Sequence, residues 1–136
     1  MMSGYSLLAP VPIMHIQGAI DILRDKDFVL FGSEAFDVFE KTDIGAKVLI
    51  YASHDESEPV VNYVGIFEGI IGDPMEMRRL EKRGYRPEST AGEKWGFYWK
   101  VKGIEPLDQP VRLSEVQLAS GKYLDGYPRG PLHVLS

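Results

Sequence analysis

The chain contains no cysteine, which removes several classes of chemistry at once. Without a thiol there can be no disulfide, no Cys-type zinc site and no cysteine nucleophile. No apolar run approaches roughly 18 uncharged residues, so we expect no transmembrane helix. The first residues lack a basic region followed by an apolar stretch, so we expect no secretory signal and take a cytoplasmic location as the default.

Side-chain amides and histidines are also scarce. The chain has one asparagine and three glutamines, and this composition, together with the missing cysteine, favours a thermophilic source. The three histidines, His15, His54 and His133, lie in no recognisable triad motif. The acids around His54 in "SHDESE" match no metal-binding spacing. We therefore predict no catalytic residue, no metal and no cofactor.

Acidic side chains outnumber basic ones, and the net charge of −5 argues against a general nucleic-acid coat. The sign is uneven, because residues 78–94 alone carry six basic and three acidic groups. A local basic patch on an acidic protein can steer an anionic partner. We predict phosphate contacts from Arg78, Arg79, Lys82, Arg83 and Lys94. The alternative is a solvated helix stabilised by its own Glu–Arg and Glu–Lys pairs.

Hydrophobic periodicity predicts one domain over residues 1–136, with about six strands and three or four short helices. Strands are predicted near 5–12, 28–31, 46–53, 60–72, 95–106 and the C-terminus. The strands at 46–53 and 60–72 are predicted to form an antiparallel hairpin, in which Gly65 and Gly69 indicate bulges. Residues 73–94 are predicted to be a basic helix–loop insertion whose helix starts at Pro74. The stretch from Ser114 to Gln117 matches a capping box and predicts the start of another short helix. The fold class is α+β, mainly β, with a small mixed or antiparallel barrel.

The stretch "VLFGSEAF" predicts a strand that leads into a helix, with Ser33 between them. A nucleophile elbow would need a second glycine after the serine, and a P-loop would need Gly-Lys-Ser/Thr; both are absent. Two interpretations remain for Ser33. It is either the N-cap of the helix, or a pocket residue beside free N–H groups that contact a ligand.

Aromatic residues cluster in and beside the predicted strands. Alternation in "WGFYW" places Trp95, Phe97 and Trp99 on one face and Tyr98 on the other. These rings either form the core or, at Trp95 and at Tyr51, line a pocket in which an unpaired nucleobase stacks. Such stacking is worth roughly 1–3 kcal/mol per base.

The order of these segments resembles the PUA-like superfamily, in particular EVE domains, with YTH and ASCH domains as the nearest relatives. "YSLLAPVP" is similar to the opening EVE strand, and "FGSEAFDVFEKTDIGAKVLIYAS" to the segment that precedes and includes "GDxVLFYxS". Three later segments, "NYVGIFEGI", "YWKVKGIEPLDQPVRL" and "YPRGPLHVL", follow in the family order. The resemblance covers roughly residues 5–135.

The resemblance implies a pseudo-barrel of about six strands with a cleft at one rim. EVE and YTH domains are thought to bind modified bases in DNA or RNA within an aromatic-lined pocket. We therefore expect a nucleic-acid-binding module that recognises a base, modified or not, in single-stranded or flipped form. The expected pocket residues are Phe31, Gly32, Ser33, Tyr51, Ser53 and Trp95.

Two other functions stay open. ASCH domains include small hydrolases, so an enzyme acting on modified nucleosides is one alternative; it would need clustered carboxylates such as Glu34 with Glu68. The Gly-x-Lys-Thr-x-Glu-x-Arg signature of that branch is absent. The other alternative is a protein-interaction domain or homodimer that uses an exposed aromatic strand.

Overall fold

The computed structural model describes residues 5–53, 60–90 and 92–135. The strands are β1 (Tyr5–Pro12), β2 (Val29–Ser33), β3 (Lys47–Ser53), β4 (Val60–Ile71), β5 (Phe97–Arg112) and β6 (Leu132–Leu135). The helices are α1 (Ile13–Leu23), α2 (Phe36–Glu40) and α3 (Pro74–Lys82), and 3-10 turns occupy Glu88–Thr90 and Leu113–Glu115. In these parts of the chain no helix is both long and apolar enough to cross a membrane.

All six strands join one mixed sheet in the order β2-β5-β4-β3-β1-β6. The pair β1–β3 is parallel and the other pairs are antiparallel, including the predicted β3–β4 hairpin. Gly65 and Gly69 each lie at a register shift between β4 and β5, which confirms the predicted bulges. The φ of +105° at Gly69 is a conformation that a side chain disfavours. The mainly β fold class is confirmed.

The predicted barrel, however, is not closed, because other segments occupy the outer edges of β2 and β6. On β2, the Leu30 N–H donates to the Tyr85 carbonyl at 2.8 Å. On β6, the Leu135 N–H donates to the Gln117 carbonyl at 2.8 Å, and the His133 carbonyl accepts from Ala119. Irregular chain thus satisfies backbone groups that a closed barrel would have paired with each other.

Three hydrophobic clusters fill the space around the sheet. The first lies on the face covered by α1 and α2, and the second lies on the opposite face. Alternation along β3 divides its side chains between them, with Ile50 in the first cluster and Tyr51 in the second. The third cluster packs α3 onto β2 and β5 through Met77, Leu80 and Tyr98.

Two predicted helix starts were wrong. Helix α2 begins at Phe36, with Ala35 rather than Ser33 at its N-cap. The capping box expected at Ser114 is absent, because the chain makes only a 3-10 turn there and the Gln117 amide donates to the Gly121 carbonyl instead.

Candidate functional site

A cavity of about 220 Å³ opens beside β1 and β2, at the point where β1 leads into α1. Thr90, Glu93 and Trp95, which precede β5, line its other side, and residues 88–90 and 92–95 are called the wall segment below. Four of the six predicted pocket residues line it: Phe31, Gly32, Ser33 and Trp95. The remaining lining residues are Ala9, Pro10, Val11, Pro12, His15, Phe39, Thr90, Glu93, Trp99 and Pro131.

Packed aromatic rings form the floor of the cavity. The Phe39 ring stacks on Trp99 with centroids 4.8 Å apart, and Phe31 lies 5.2 Å from Trp99 in a tilted arrangement. All three residues are at least 95% buried, and Phe97 holds Phe39 from the side at 5.7 Å. Rings packed this closely on a strand-borne framework are fixed in place, so the floor is preformed.

Trp95 forms a wall of the cavity by lying directly against the backbone of Gly32. A Cβ atom at position 32 would stand 2.0 Å from Trp95 Cδ1 and 2.6 Å from its Nε1. Only glycine permits this approach. This contact could not be predicted, because the two residues are far apart in the chain and Trp95 precedes β5 instead of sharing its face with Phe97 and Trp99.

Ser33 combines a local structural role with a position in the cavity wall. Its Oγ accepts a hydrogen bond from the Ala35 N–H at 3.0 Å, which forms a serine turn ahead of α2. A hydroxyl that accepts still has its own proton to donate. The predicted N-cap role is therefore replaced by a turn, and the hydroxyl remains a hydrogen-bond donor at the half-buried cavity wall.

Arg86 holds the wall segment from behind. Its guanidinium donates to Thr90 Oγ1 at 2.8 Å and to the carbonyls of Thr90 and Glu93. It also donates to the Tyr98 hydroxyl at 2.6 Å, and its own side chain is 10% exposed. Arg86 belongs to the basic segment 78–94, but its guanidinium is engaged inside the protein, so it adds little to a positive surface.

The Tyr98 hydroxyl lies at the centre of the same network. It donates to the Glu81 carboxylate at the end of α3, while Arg86 approaches Glu81 at 3.4 Å. Burial, then the hydrogen bond to Glu81, raises the pKa of Tyr98 to about 12. Tyr98 lies on the face of β5 opposite Phe97 and Trp99, as strand alternation predicted, and it is 1% exposed because α3 covers that face. Sequence periodicity does not reveal this contact with α3.

His15 and Glu93 are cavity residues that sequence analysis missed. The His15 Nδ1 lies 2.7 Å from Ser89 Oγ, which ties the first turn of α1 to the wall segment. Glu93 presents an exposed side chain at the rim. Thr90 is 95% buried, and its hydroxyl donates to the Pro87 carbonyl at 2.7 Å while accepting from Arg86. No local motif marks these residues, because α1 and the wall segment meet only in the folded chain.

Tyr51 and Ser53 do not join this cavity. Tyr51 faces the second cluster, where it packs with Leu8 and Val61, and its ring lies 6.0 Å from that of Tyr127. Ser53 pairs with Pro12 at the end of β3, two residues after Tyr51. The period of two along a strand sends Tyr51 to the face opposite Ile50, which explains why a linear motif placed it wrongly beside Phe31.

The predicted phosphate-binding residues lie on the solvent side of α3 and just before β5. Arg78, Arg79, Lys82, Arg83 and Lys94 are all exposed. Asp73 caps α3 by accepting from the Glu76 N–H at 3.1 Å, and Pro74 occupies the first helical turn as predicted. Arg79 donates to Glu76 at 3.0 Å, and this contact lowers the pKa of Glu76. Arg79 is therefore already engaged within the helix.

The enzyme alternative and the protein-interaction alternative each lose the observation on which they depended. Neither Glu34 nor Glu68 lines the cavity, and Glu68 pairs with Lys102 at 2.8 Å across β4 and β5. Phe97, Tyr98 and Trp99 are each at least 96% buried, so this strand offers no exposed aromatic surface to a second copy. Residues 54–58 of "SHDESE" lie outside the described part of the chain. Within that part, no group of three or more His, Asp or Glu side chains could hold a metal ion.

Comparison with known proteins supports the fold. No protein-family model matches the chain, and no curated protein matches it. Among solved structures, the chain is similar to the crystal structure of ASCH from Zymomonas mobilis, with a TM-score of 0.57 and 13% identity. The similarity covers 93% of this chain and 85% of that one. The chain thus has the fold of an ASCH domain, as the predicted PUA-like fold implies, and the comparison does not single out the EVE branch.

Proposed function

We propose that this protein is a nucleic-acid-binding module that holds one unpaired base, in RNA or DNA, within the aromatic cavity. The observation that carries the proposal is the cavity itself, in which Phe31, Trp95 and Trp99 accompany the hydroxyl of Ser33. A volume of about 220 Å³ falls below the roughly 300–1,000 Å³ of cavities for drug-sized ligands. This size suits one flat ring system better than a whole nucleotide.

The chemistry of the walls suits a base. Aromatic faces stack on any base, and the Ser33 hydroxyl can donate to a ring nitrogen or carbonyl on its edge. The base must leave its partner strand to enter, so single-stranded or easily opened sites are the natural ligands. The sugar and phosphates would remain outside the cavity.

Four cations are available to hold that backbone: Arg78, Lys82, Arg83 and Lys94, since Arg79 is paired with Glu76. The protein is acidic elsewhere, so a strand bound away from this segment would meet net negative charge. The basic segment would therefore set the direction in which a strand approaches.

The first experiment measures binding of short single-stranded RNA and DNA by the change in tryptophan fluorescence. Trp95→Ala is expected to weaken binding roughly 5- to 150-fold, because one stacking contact is worth about 1–3 kcal/mol. Tyr127→Ala is the matched control, since this exposed ring lies by Tyr51 and away from the cavity. Equal losses in both variants would count against the cavity as the base site.

The second experiment tests the phosphate contacts by varying salt. Four contacts to a single strand predict a slope of about −2.8 in a plot of log affinity against log salt. Arg83→Ala should make that slope less steep by about 0.7. Lys122→Ala, which removes an exposed cation outside the basic segment, should leave the slope unchanged. An affinity insensitive to salt in the unmodified protein would refute the proposal for this segment.

A further inference from the structure

The cavity has an electrostatic feature that stacking on ordinary bases does not need. Among its described lining residues the one carboxylate is Glu93, no lysine or arginine joins it, and His15 is the other titratable side chain. Arg86 lies behind the wall, where it contacts the Glu93 carbonyl and faces the Glu81 carboxylate at 3.4 Å. The rim therefore presents negative charge to whatever enters.

The aromatic rings of the cavity also favour a positively charged ligand. The faces of indole and phenyl rings carry negative electrostatic potential and attract cations, tryptophan most strongly. Trp95, the half-buried ring of the wall, therefore reinforces Glu93 in favouring a positive charge that is spread over a flat ring, with Phe31 and Trp99 packed beneath it. For a neutral base, in contrast, the carboxylate offers only hydrogen-bond acceptance and adds the work of removing its hydration.

We propose that the cavity selects a base that carries a positive charge, such as a ring alkylated on an endocyclic nitrogen, over the neutral form of the same base. This inference rests on the proposed function and adds a ligand class to it. Glu93 is the residue that determines the selection, and Arg86 positions it by fixing the backbone of the wall segment. Cation–π attraction alone predicts roughly a twofold preference for the cation, and the charge of Glu93 is expected to raise it to at least about fivefold.

Two isomeric nucleosides test the preference without any phosphate. 1-Methyladenosine is protonated and cationic at slightly acidic pH, whereas N6-methyladenosine has the same heavy atoms and is neutral. We expect the cationic isomer to bind at least about fivefold more tightly, measured by tryptophan fluorescence and by calorimetry. Glu93→Gln should reduce the ratio to about twofold or less. Glu88→Gln, which removes an acid of the same segment outside the cavity lining, should leave it unchanged.

The outcomes separate the inference from the proposed function. Equal binding of the two isomers, with Trp95→Ala still weakening oligonucleotides, would overturn the charge preference alone. Binding of neither isomer, together with no salt-sensitive binding of oligonucleotides, would overturn the proposed function as well. Tetramethylammonium that displaces 1-methyladenosine at equal concentration would show that the cavity selects a methylated amine instead of a ring, and that result would also refute the inference.

Discussion

Gly32→Ala tests whether the Trp95 wall depends on a glycine. The new Cβ atom would lie 2.0 Å from Trp95 Cδ1 and 2.1 Å from Cγ, whereas ordinary contact begins at 3.4 Å. The indole must therefore withdraw by about 1.4 Å, and because Cγ is the root of the ring, a rotation of its far end does not relieve the contact. Overpacking of this kind costs about 1–3 kcal/mol.

A double-mutant cycle measures the contact in two ways. Gly32→Ala should lower the free energy of unfolding by about 1–3 kcal/mol in the unmodified protein and by much less in Trp95→Ala, because the three nearest atoms all belong to that ring. Urea denaturation gives these values. Base binding should fall together with stability, since the displaced indole no longer forms the wall.

Gly72→Ala is the matched control for the glycine cycle, because a Cβ atom at this position meets no atom within 4 Å. It reports what a glycine-to-alanine change does to the chain without a clash. If Gly32→Ala lowers stability equally with and without Trp95, the close approach of the indole is not the reason that position 32 requires glycine. The contact between Trp95 and the Gly32 backbone would then be wrong.

Three further predictions concern stability. Burial lowers the pKa of His133, so the unfolded chain takes up the proton first and stability is lost as pH falls below about 6.5. The urea midpoint of His133→Gln should fall less over the same pH range than that of the unmodified protein. Equal curves for the two proteins would contradict this. The raised pKa of Tyr98 means that the neutral phenol stabilises the fold below pH 10 and that up to about 3 kcal/mol is lost towards pH 12; Tyr98→Phe should show no such component in alkaline denaturation. Gly69→Ala should destabilise by about 1–2 kcal/mol, because its φ of +105° disfavours a side chain; an unchanged thermal midpoint would refute this.

The strands were predictable because each depends on local patterning. Alternating β-branched and aromatic residues in 46–53 and 60–72 predicted the hairpin, and the glycines at 65 and 69 predicted its bulges. The β1–β3 pairing was not predicted, since parallel pairing joins segments that no turn connects. The extension of β5 to Arg112 was also missed, because Pro106 and Pro110 read as strand breakers.

Apart from Trp95, the site was predictable only where neighbours in sequence share it. Phe31, Gly32 and Ser33 belong to one strand, so a linear motif located them together. Glu93 and His15 reach the cavity from separate segments, and nothing in their sequence context distinguishes them from solvated side chains. The internal role of Arg86 was not predicted for the same reason, because burial beneath a loop is a property of the folded chain.

The shared attachment of Arg86 has a consequence for how the protein responds to change. One guanidinium contacts Tyr98 beneath α3 and the two carbonyls that carry the cavity wall. The helix bearing the basic side chains and the cavity rim are thus linked through one side chain. If a strand binds as proposed, occupancy of one region would alter the energy of the other, and the two contributions to affinity would not simply multiply.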